Sequence, residues 1–185
     1  MDSDRTEKVL KSLEKKAWNS YLPILGFEKG RILTDFIHRT QPKRILEVGT
    51  LVGYSAILMA KELEANSEII SVEIHETEAE IAKENIRKAG VKPSIHVLVG
   101  DALEIIPQLQ GPFDMVFLDA DKNEYFEYLK NVEGKLHSGS IIVADNTNMS
   151  TPSMRKYLTY VRNSGNYQSP VNTTYQDEME VSLKL

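Results

Sequence analysis

Two apolar stretches of the sequence end in oxygen-bearing side chains. The first, "FLDADK" at 117–122, places Asp119 after an apolar run, and the second, "SIIVADN" at 140–146, ends in Asp145 and Asn146. Mg²⁺ prefers oxygen ligands, takes about six of them, and commonly leaves positions for substrate and water. The pattern therefore predicts a magnesium site. The alternative is that these side chains cap the helices that follow.

Lys122 lies three residues after Asp119, within reach of the same site if a helix begins at that point. A lysine can act as a general base when its neighbours favour the neutral form, and a divalent cation nearby would do so. The alternative is an ordinary solvated lysine. The metal hypothesis and the base hypothesis therefore depend on each other.

A glycine-bearing turn, "EVGTLVGYS" at 47–55, precedes a helical pattern. Gly49 permits an unusual backbone angle, and Gly53 lets backbone or ligand approach closely. The glycines do not form G-x-G-x-x-G, which disfavours a dinucleotide-phosphate site. Glu73 ends the next apolar run, about 20 residues later, where an acid can accept the ribose hydroxyls of an adenosine. An ordinary surface acid is the alternative.

Asp101, in "GDAL", follows a further apolar run. It can face an adenine amino group, or it can cap a helix that begins at Ala102. The two roles are compatible, so both are kept.

These side chains are positioned by alternating apolar strands and amphipathic helices. The predicted strands cover 44–48, 68–74, 94–99, 113–118, 140–145 and a tail, "EMEVSLKL", with an alternating pattern. The predicted helices cover 5–18, 28–39, the segment after Gly53, 76–89, 102–109, 122–133 and 152–163. Such alternation predicts a doubly wound, mainly parallel α/β sheet, with the half-exposed tail as an antiparallel strand near one edge. Ligands of such sheets bind at the carboxyl ends of the strands, where all these residues fall.

Composition narrows the function classes. The chain has 185 residues, 41% of them hydrophobic, no cysteine and a net charge of −5. We expect a single domain over 1–185 and a cytoplasmic protein, without disulfides, thiolate chemistry or a membrane span. No two of the four histidines are spaced i,i+4, which disfavours a zinc site. The negative net charge disfavours extended contact with nucleic acid.

Five segments resemble the cation-dependent class I O-methyltransferases, the family of catechol and caffeoyl-coenzyme A O-methyltransferases. They are "ILEVGTLVGYSAILMA", "SVEIHETEAEIAKENIRKAG", "GDALEIIP", "FDMVFLDADKNEYFEYL" and "IIVADN". The last two carry the paired strand ends that distinguish this family from other enzymes that use S-adenosylmethionine (SAM). The resemblance implies a seven-stranded Rossmann-like sheet, a homodimer, and N-terminal helices over residues 1–40 that cover the cofactor side.

The resemblance also implies roles for individual residues. Lys122 would be the catalytic base, and the ligands of Mg²⁺, Mn²⁺ or Ca²⁺ would be Asp119, Asp145 and Asn146. The residues around SAM would be Glu47, Gly49, Gly53, Ser55, Glu73, Asp101, Ala102 and Asp119. Two departures concern the acceptor pocket: only "TNMS" separates Asn146 from the next helix, and Asp177-Glu178 replaces the family's usual Asp-Gly.

The resulting hypothesis is a cation-dependent enzyme that methylates a hydroxyl of a catechol-like small molecule. The first alternative is a methyltransferase for a hydroxylated uridine of transfer RNA, which would need a basic surface beside the pocket. The second is a non-catalytic SAM-binding regulatory module, which would have no evident use for a metal and a base. The third is a nicotinamide dehydrogenase, which the missing G-x-G-x-x-G disfavours.

Overall fold

The computed structural model describes residues 2–170 and 179–185, which form seven helices and seven strands. The helices are α1 (Asp2–Ser20), α2 (Phe27–Thr40), α3 (Tyr54–Glu62), α4 (Glu76–Ala89), α5 (Ala102–Gln108), α6 (Tyr125–Glu133) and α7 (Pro152–Asn163). The strands are β1 (Arg44–Val48), β2 (Glu68–Glu73), β3 (Ser94–Val99), β4 (Phe113–Leu118), β5 (Leu136–Asp145), β6 (Tyr167–Gln168) and β7 (Met179–Lys184).

The strands form one sheet in the order β3-β2-β1-β4-β5-β7-β6. The pairs β2–β3, β1–β4 and β4–β5 are parallel, whereas β7 runs antiparallel to both β5 and β6. The predicted fold class, a mainly parallel sheet with an antiparallel strand near one edge, is therefore confirmed.

The contacts of the chain define two compact units. The first contains Met1–Lys43 and Thr50–Gly100, and the second contains Arg44–Gly49 and Asp101–Leu185. The single-domain organisation, with helices of residues 1–40 covering the cofactor side, stays a prediction.

The first unit is built on helices that pack through their apolar faces. Leu13 of α1, together with Leu33 and Ile37 of α2, is buried, as the helical spacing predicts. The Thr6 hydroxyl donates to the carbonyl of Ala89 at the end of α4, 3.1 Å away. This bond satisfies one of the carbonyls that a helix end leaves without an internal partner.

The second unit is built on three parallel strands whose side chains are almost completely buried from residue 140 of β5 onward and along β1 and β4. In the register of β1, β4 and β5, Leu46 lies opposite Val116 and Val116 opposite Ile142, and all three are fully buried. Continuous burial explains why these strands are apolar without alternation. Their carboxyl ends lie at one edge because the strands are parallel.

The last strand differs from its predicted half-exposed state. All of the first four residues of β7 are buried, including Glu180 and Ser182 on the face predicted to meet solvent. Glu180 accepts two hydrogen bonds from the guanidinium of Arg162, at 2.9 and 2.7 Å, and the Ser182 hydroxyl lies 2.8 Å from that of Ser169. The alternation prediction was wrong because polar partners cover that face.

Three further features differ from the sequence prediction. Strand β5 begins at Leu136, not at residue 140. Helix α6 begins at Tyr125, not at residue 122, because the Asp121 carboxylate accepts the backbone N–H of Asn123 at 2.9 Å and forms a local turn. The two-residue strand β6 was missed entirely. The Asp177-Glu178 departure lies outside the described residues.

Within residues 2–170 and 179–185, no helix combines the length and the apolar character needed to cross a bilayer.

Candidate functional site

The candidate metal ligands follow the last residue pair of the β4–β5 ladder. Leu118 lies opposite Ala144 in the parallel register, and the next residues are Asp119, just beyond β4, and Asp145, the last residue of β5. Asp145 is only 3% exposed, and the Asp119 side chain is 23% exposed. Asn146 is half-buried and has a left-handed backbone, with φ of 53°, so the chain turns away from the sheet there.

One buried tyrosine connects these two strand ends. The hydroxyl of Tyr125, the first residue of α6, lies 3.0 Å from the carbonyl oxygens of both Leu118 and Asp145. Tyr125 is fully buried. Burial, followed by the negative charges of Asp119 and Asp145, raises its pKa well above the usual value, so the hydroxyl stays a donor.

The candidate base is held beside one of the candidate ligands. The Lys122 ammonium donates to Asp119 Oδ1 at 2.8 Å, and only 13% of the Lys122 side chain is exposed. The same ammonium lies 5.2 Å from the ring centroid of Tyr125. The Thr151 hydroxyl donates to the carbonyl of Lys122 at 2.6 Å, which fixes the backbone of the loop. Lys122 is therefore not the freely solvated lysine of the alternative hypothesis, although it lies before the helix and not in it.

The end of β1 approaches the end of β4 at a glycine. Gly49 has φ of +101°, and a Cβ built on it would lie 2.2 Å from the carbonyl oxygen of Asp119. The backbone N–H of Asp119 donates to the carbonyl of Val48 at 2.9 Å. No larger residue fits here without displacing Asp119. Glu47, two residues earlier, is fully buried in β1.

The glycine turn and the predicted ribose acid meet in the first unit. Glu73 Oε2 accepts the N–H of Leu51 at 2.7 Å, and Oε1 accepts the N–H of His75 at 3.0 Å. The carboxylate thus fixes Leu51, whose φ of 49° is rare for a residue with a side chain. Each carboxylate oxygen has a second lone-pair direction, so Glu73 can still accept a ribose hydroxyl.

Two more contacts hold this turn. The hydroxyls of Thr50 and Ser71 are 2.5 Å apart and buried, and the Asn85 amide donates to the carbonyl of Val52 at 2.9 Å. Gly53 has φ of +82° immediately before α3, in which Ser55 is buried. The unusual backbone angle predicted for Gly49 is therefore confirmed.

Asp101 caps the helix that follows it. Its Oδ1 accepts the N–H of Leu103 at 2.8 Å, and the buried Ala102 is the first residue of α5. The capping role is confirmed, and the adenine contact stays a prediction.

The structure brings together two groups of predicted site residues. In the second unit the group comprises Gly49, Asp119, Lys122 and Asp145 at the ends of β1, β4 and β5. In the first unit Glu73 meets the turn that contains Leu51 and precedes Gly53. The contact made by the Tyr125 hydroxyl was not predicted from the sequence, because the apolar spacing of α6 marks Tyr125 only as a core position.

The donor chemistry fits a hard divalent cation. No cluster of three His, Cys, Asp or Glu side chains suited to a metal occurs in the described part of the chain. The candidate set is instead two carboxylates and one amide, from Asp119, Asp145 and Asn146, all of which offer oxygen atoms of the kind Mg²⁺ and Ca²⁺ take. Two carboxylates at adjacent strand ends repel each other, and a divalent cation would neutralise that repulsion.

Comparisons with known proteins point to one family. A family model described as O-methyltransferase matches residues 1–153. The chain is 42% identical over 122 residues to a catechol O-methyltransferase of Niastella koreensis, covering 64% of this chain and 55% of that protein. It is 32% identical over 158 residues to the catechol O-methyltransferase of Sus scrofa, covering 82% of this chain and 84% of that protein.

A solved structure gives the same fold. It is the O-methyltransferase TomG from Streptomyces achromogenes, involved in tomaymycin synthesis and crystallised in complex with SAM. Its TM-score is 0.80 at 27% sequence identity, with 95% of this chain and 89% of TomG covered. The protein belongs to the O-methyltransferase family. The chain spans a little over half the length of some of these relatives, 55% for that of Niastella koreensis.

Proposed function

We propose that the protein is a SAM-dependent, divalent-cation-dependent O-methyltransferase that methylates a hydroxyl of a catechol-like small molecule. One observation carries this proposal. Lys122 is held 2.8 Å from Asp119 at the end of β4, next to the strand end that bears Asp145. An ordered lysine beside a candidate metal ligand, once deprotonated, suits proton transfer from a hydroxyl better than it suits ligand binding alone.

SAM as the methyl donor is supported by family membership and by the relation to TomG, which was crystallised with SAM. The first unit presents the acid and the turn that such a donor requires: Glu73 would accept the ribose hydroxyls beside the backbone of Leu51. In the second unit Asp101 would face the adenine amino group while it caps α5.

The metal would be held by Asp119, Asp145 and Asn146. A bound divalent cation would supply positive charge that lowers the pKa of an acceptor hydroxyl and fixes a second oxygen of a vicinal diol. The side chain of Asp145 is shielded from bulk solvent, with only 3% of the residue exposed.

Lys122 would complete the reaction. In its neutral form it accepts the proton of the acceptor hydroxyl, and the resulting oxyanion attacks the methyl carbon of the sulfonium. The carbon–sulfur bond breaks as the carbon–oxygen bond forms, and S-adenosylhomocysteine leaves. Alignment of donor and acceptor can contribute up to ~7–11 kcal/mol to such a reaction.

The test has two stages. Isothermal calorimetry first measures SAM binding. A methyl-transfer assay with catechol then compares Mg²⁺, EDTA, and EDTA followed by excess Mg²⁺. We expect SAM binding, and methylation that EDTA abolishes and Mg²⁺ restores.

Each other outcome has a distinct meaning. Methylation that survives EDTA would contradict the cation requirement and leave the enzyme class intact. SAM binding without methylation of catechol would contradict the acceptor assignment, and transfer RNA would be assayed next. A folded protein that binds no SAM would contradict the whole proposal.

A further inference from the structure

Neither core packing nor substrate binding accounts for the position of the Tyr125 hydroxyl. It lies within 3.0 Å of the last carbonyls of two adjacent strands, Leu118 of β4 and Asp145 of β5, in a fully buried position. We propose that Tyr125 is a positioning residue: its hydroxyl sets the spacing between Asp119 and Asp145, and thereby the affinity for the divalent cation. This inference rests on the proposed function, because it assumes that these two acids bind a metal.

The Tyr125 hydroxyl donates at the point where the β4–β5 ladder ends. The β4–β5 ladder ends at the pair Leu118 and Ala144, and Asn146 then turns away with its left-handed backbone. The Tyr125 hydroxyl, with its single hydrogen shared between the carbonyls of Leu118 and Asp145, joins the two chains at this end of the ladder.

The contacted carbonyls belong to the peptide groups that carry the candidate ligands. The carbonyl of Leu118 is in the same peptide unit as the N–H of Asp119, and the carbonyl of Asp145 is in the same peptide unit as the N–H of Asn146. Peptide units are planar and rigid. A hydroxyl that fixes both units therefore constrains the backbone from which all three ligand side chains project.

The ring of Tyr125 is itself held in place. The ring of Tyr157 meets it edge-on, with centroids 6.0 Å apart and an angle of 88°, and the ring of Tyr128 lies 6.2 Å away. The Lys122 ammonium lies 5.2 Å from the ring centroid. Because Tyr125 also begins α6, its ring anchors the far end of the loop that starts at Asp119.

The test removes the hydroxyl and keeps the ring. In Tyr125→Phe we expect the Kd for Mn²⁺, measured by calorimetry with saturating SAM, to rise by about 10–100-fold, the usual effect of losing a group that orients metal ligands. The Kd for SAM should change by less than about threefold, because the residues around Glu73 are untouched. The Mg²⁺ concentration for half-maximal methylation should rise in parallel with the Mn²⁺ Kd.

Tyr128→Phe is the matched control. Tyr128 lies on the same helix, packs against the Tyr125 ring and donates its hydroxyl to the Glu124 carboxylate at 2.6 Å, away from the strand ends. We expect the Tyr128→Phe protein to keep the wild-type affinity for Mn²⁺. Urea unfolding of both variants without metal measures the stability that each hydroxyl contributes.

Three results would overturn the inference. An unchanged Mn²⁺ affinity in Tyr125→Phe would show that the hydroxyl does not set the site. Equal losses of SAM and Mn²⁺ affinity, or loss of the folded protein, would show that it supports the fold and not the metal ligands. A wild-type protein that binds no Mn²⁺ would overturn the metal part of the proposed function, and with it this inference. If the wild type shows cation-dependent methylation and Tyr125→Phe keeps the wild-type Mn²⁺ affinity, only the role of Tyr125 is overturned.

Discussion

The close approach of β1 and β4 at Gly49 predicts a large loss of stability in Gly49→Ala. Two effects add at this position. A φ of +101° is strained for any residue with a Cβ, which costs about 1–3 kcal/mol. The new Cβ would also lie 2.2 Å from the carbonyl oxygen of Asp119, so the two strand ends must separate, which costs about another 1–3 kcal/mol. We therefore expect the free energy of unfolding to fall by about 2–6 kcal/mol, a large part of the ~5–15 kcal/mol of an ordinary domain.

Two other glycines of the same unit separate these effects. Gly165 has φ of +77° with no atom within 4 Å of a Cβ, so Gly165→Ala contains only the strain. Gly134 has φ of −71° and equally open surroundings, so Gly134→Ala contains neither effect and should be neutral or slightly stabilising. Urea unfolding of the three variants, with the midpoint and slope recorded, gives each contribution by difference.

The order of stability of the three variants tests this reasoning. We expect Gly49→Ala to be less stable than Gly165→Ala, and Gly165→Ala to be less stable than Gly134→Ala. A Gly49→Ala protein as stable as Gly165→Ala would show that the strand ends separate without cost, and the argument for a rigid site at Asp119 would fail. A raised Mn²⁺ Kd in Gly49→Ala would show in addition that the displacement reaches the candidate metal ligands.

Three further predictions follow from other contacts. Lys122→Ala should lower kcat by about 10²–10⁴-fold with little change in the SAM Kd, whereas Lys130→Ala should leave kcat unchanged; equal losses of kcat and SAM affinity would contradict the base assignment. Hydrogen bonds raise the pKa of His137. Its contribution to the free energy of unfolding, about 0.2–1 kcal/mol, should therefore be present below the unfolded pKa of ~6.5 and be lost as the pH rises through the folded pKa. In His137→Gln, urea unfolding should show that this part of the pH dependence is gone. Arg162→Met should destabilise the protein by about 1–3 kcal/mol because it leaves the buried carboxylate of Glu180 without its guanidinium, and Glu180→Met added to it should restore part of the loss in thermal unfolding.

Hydrophobic periodicity predicted two neighbouring parallel strands with the observed bounds. The stretches 44–48 and 113–118 were predicted as strands and are β1 and β4 with the same bounds. Their burial on both faces makes the sequence mainly apolar, and Gly49 or Asp119 follows directly. The N-cap at Asp101 was predictable for a similar reason, because capping depends only on residues within one turn.

Features that depend on distant partners could not be predicted in this way. A strand as short as β6 has no periodicity, and it exists because Tyr167 pairs with Lys184 of β7. Glu180 looks like a solvent-facing residue in the alternating tail, but Arg162 pairs with it and allows its burial. Each outcome follows from a contact between residues more than ten positions apart, which local patterns do not encode.

The two acidic candidate metal ligands also differ in a way that local sequence patterns do not predict. Both follow apolar runs, yet Asp145 is 3% exposed and Asp119 is 23% exposed. Strand β4 ends at Leu118, whereas β5 continues through Asp145, which pairs with Met179 of the antiparallel strand β7. Asp145 is thus held by the sheet itself. Asp119 lies just beyond its strand and depends on the Val48 carbonyl, on Lys122 and on the Tyr125 anchor for its position. Substitutions in that loop should therefore affect metal binding through Asp119 more than through Asp145.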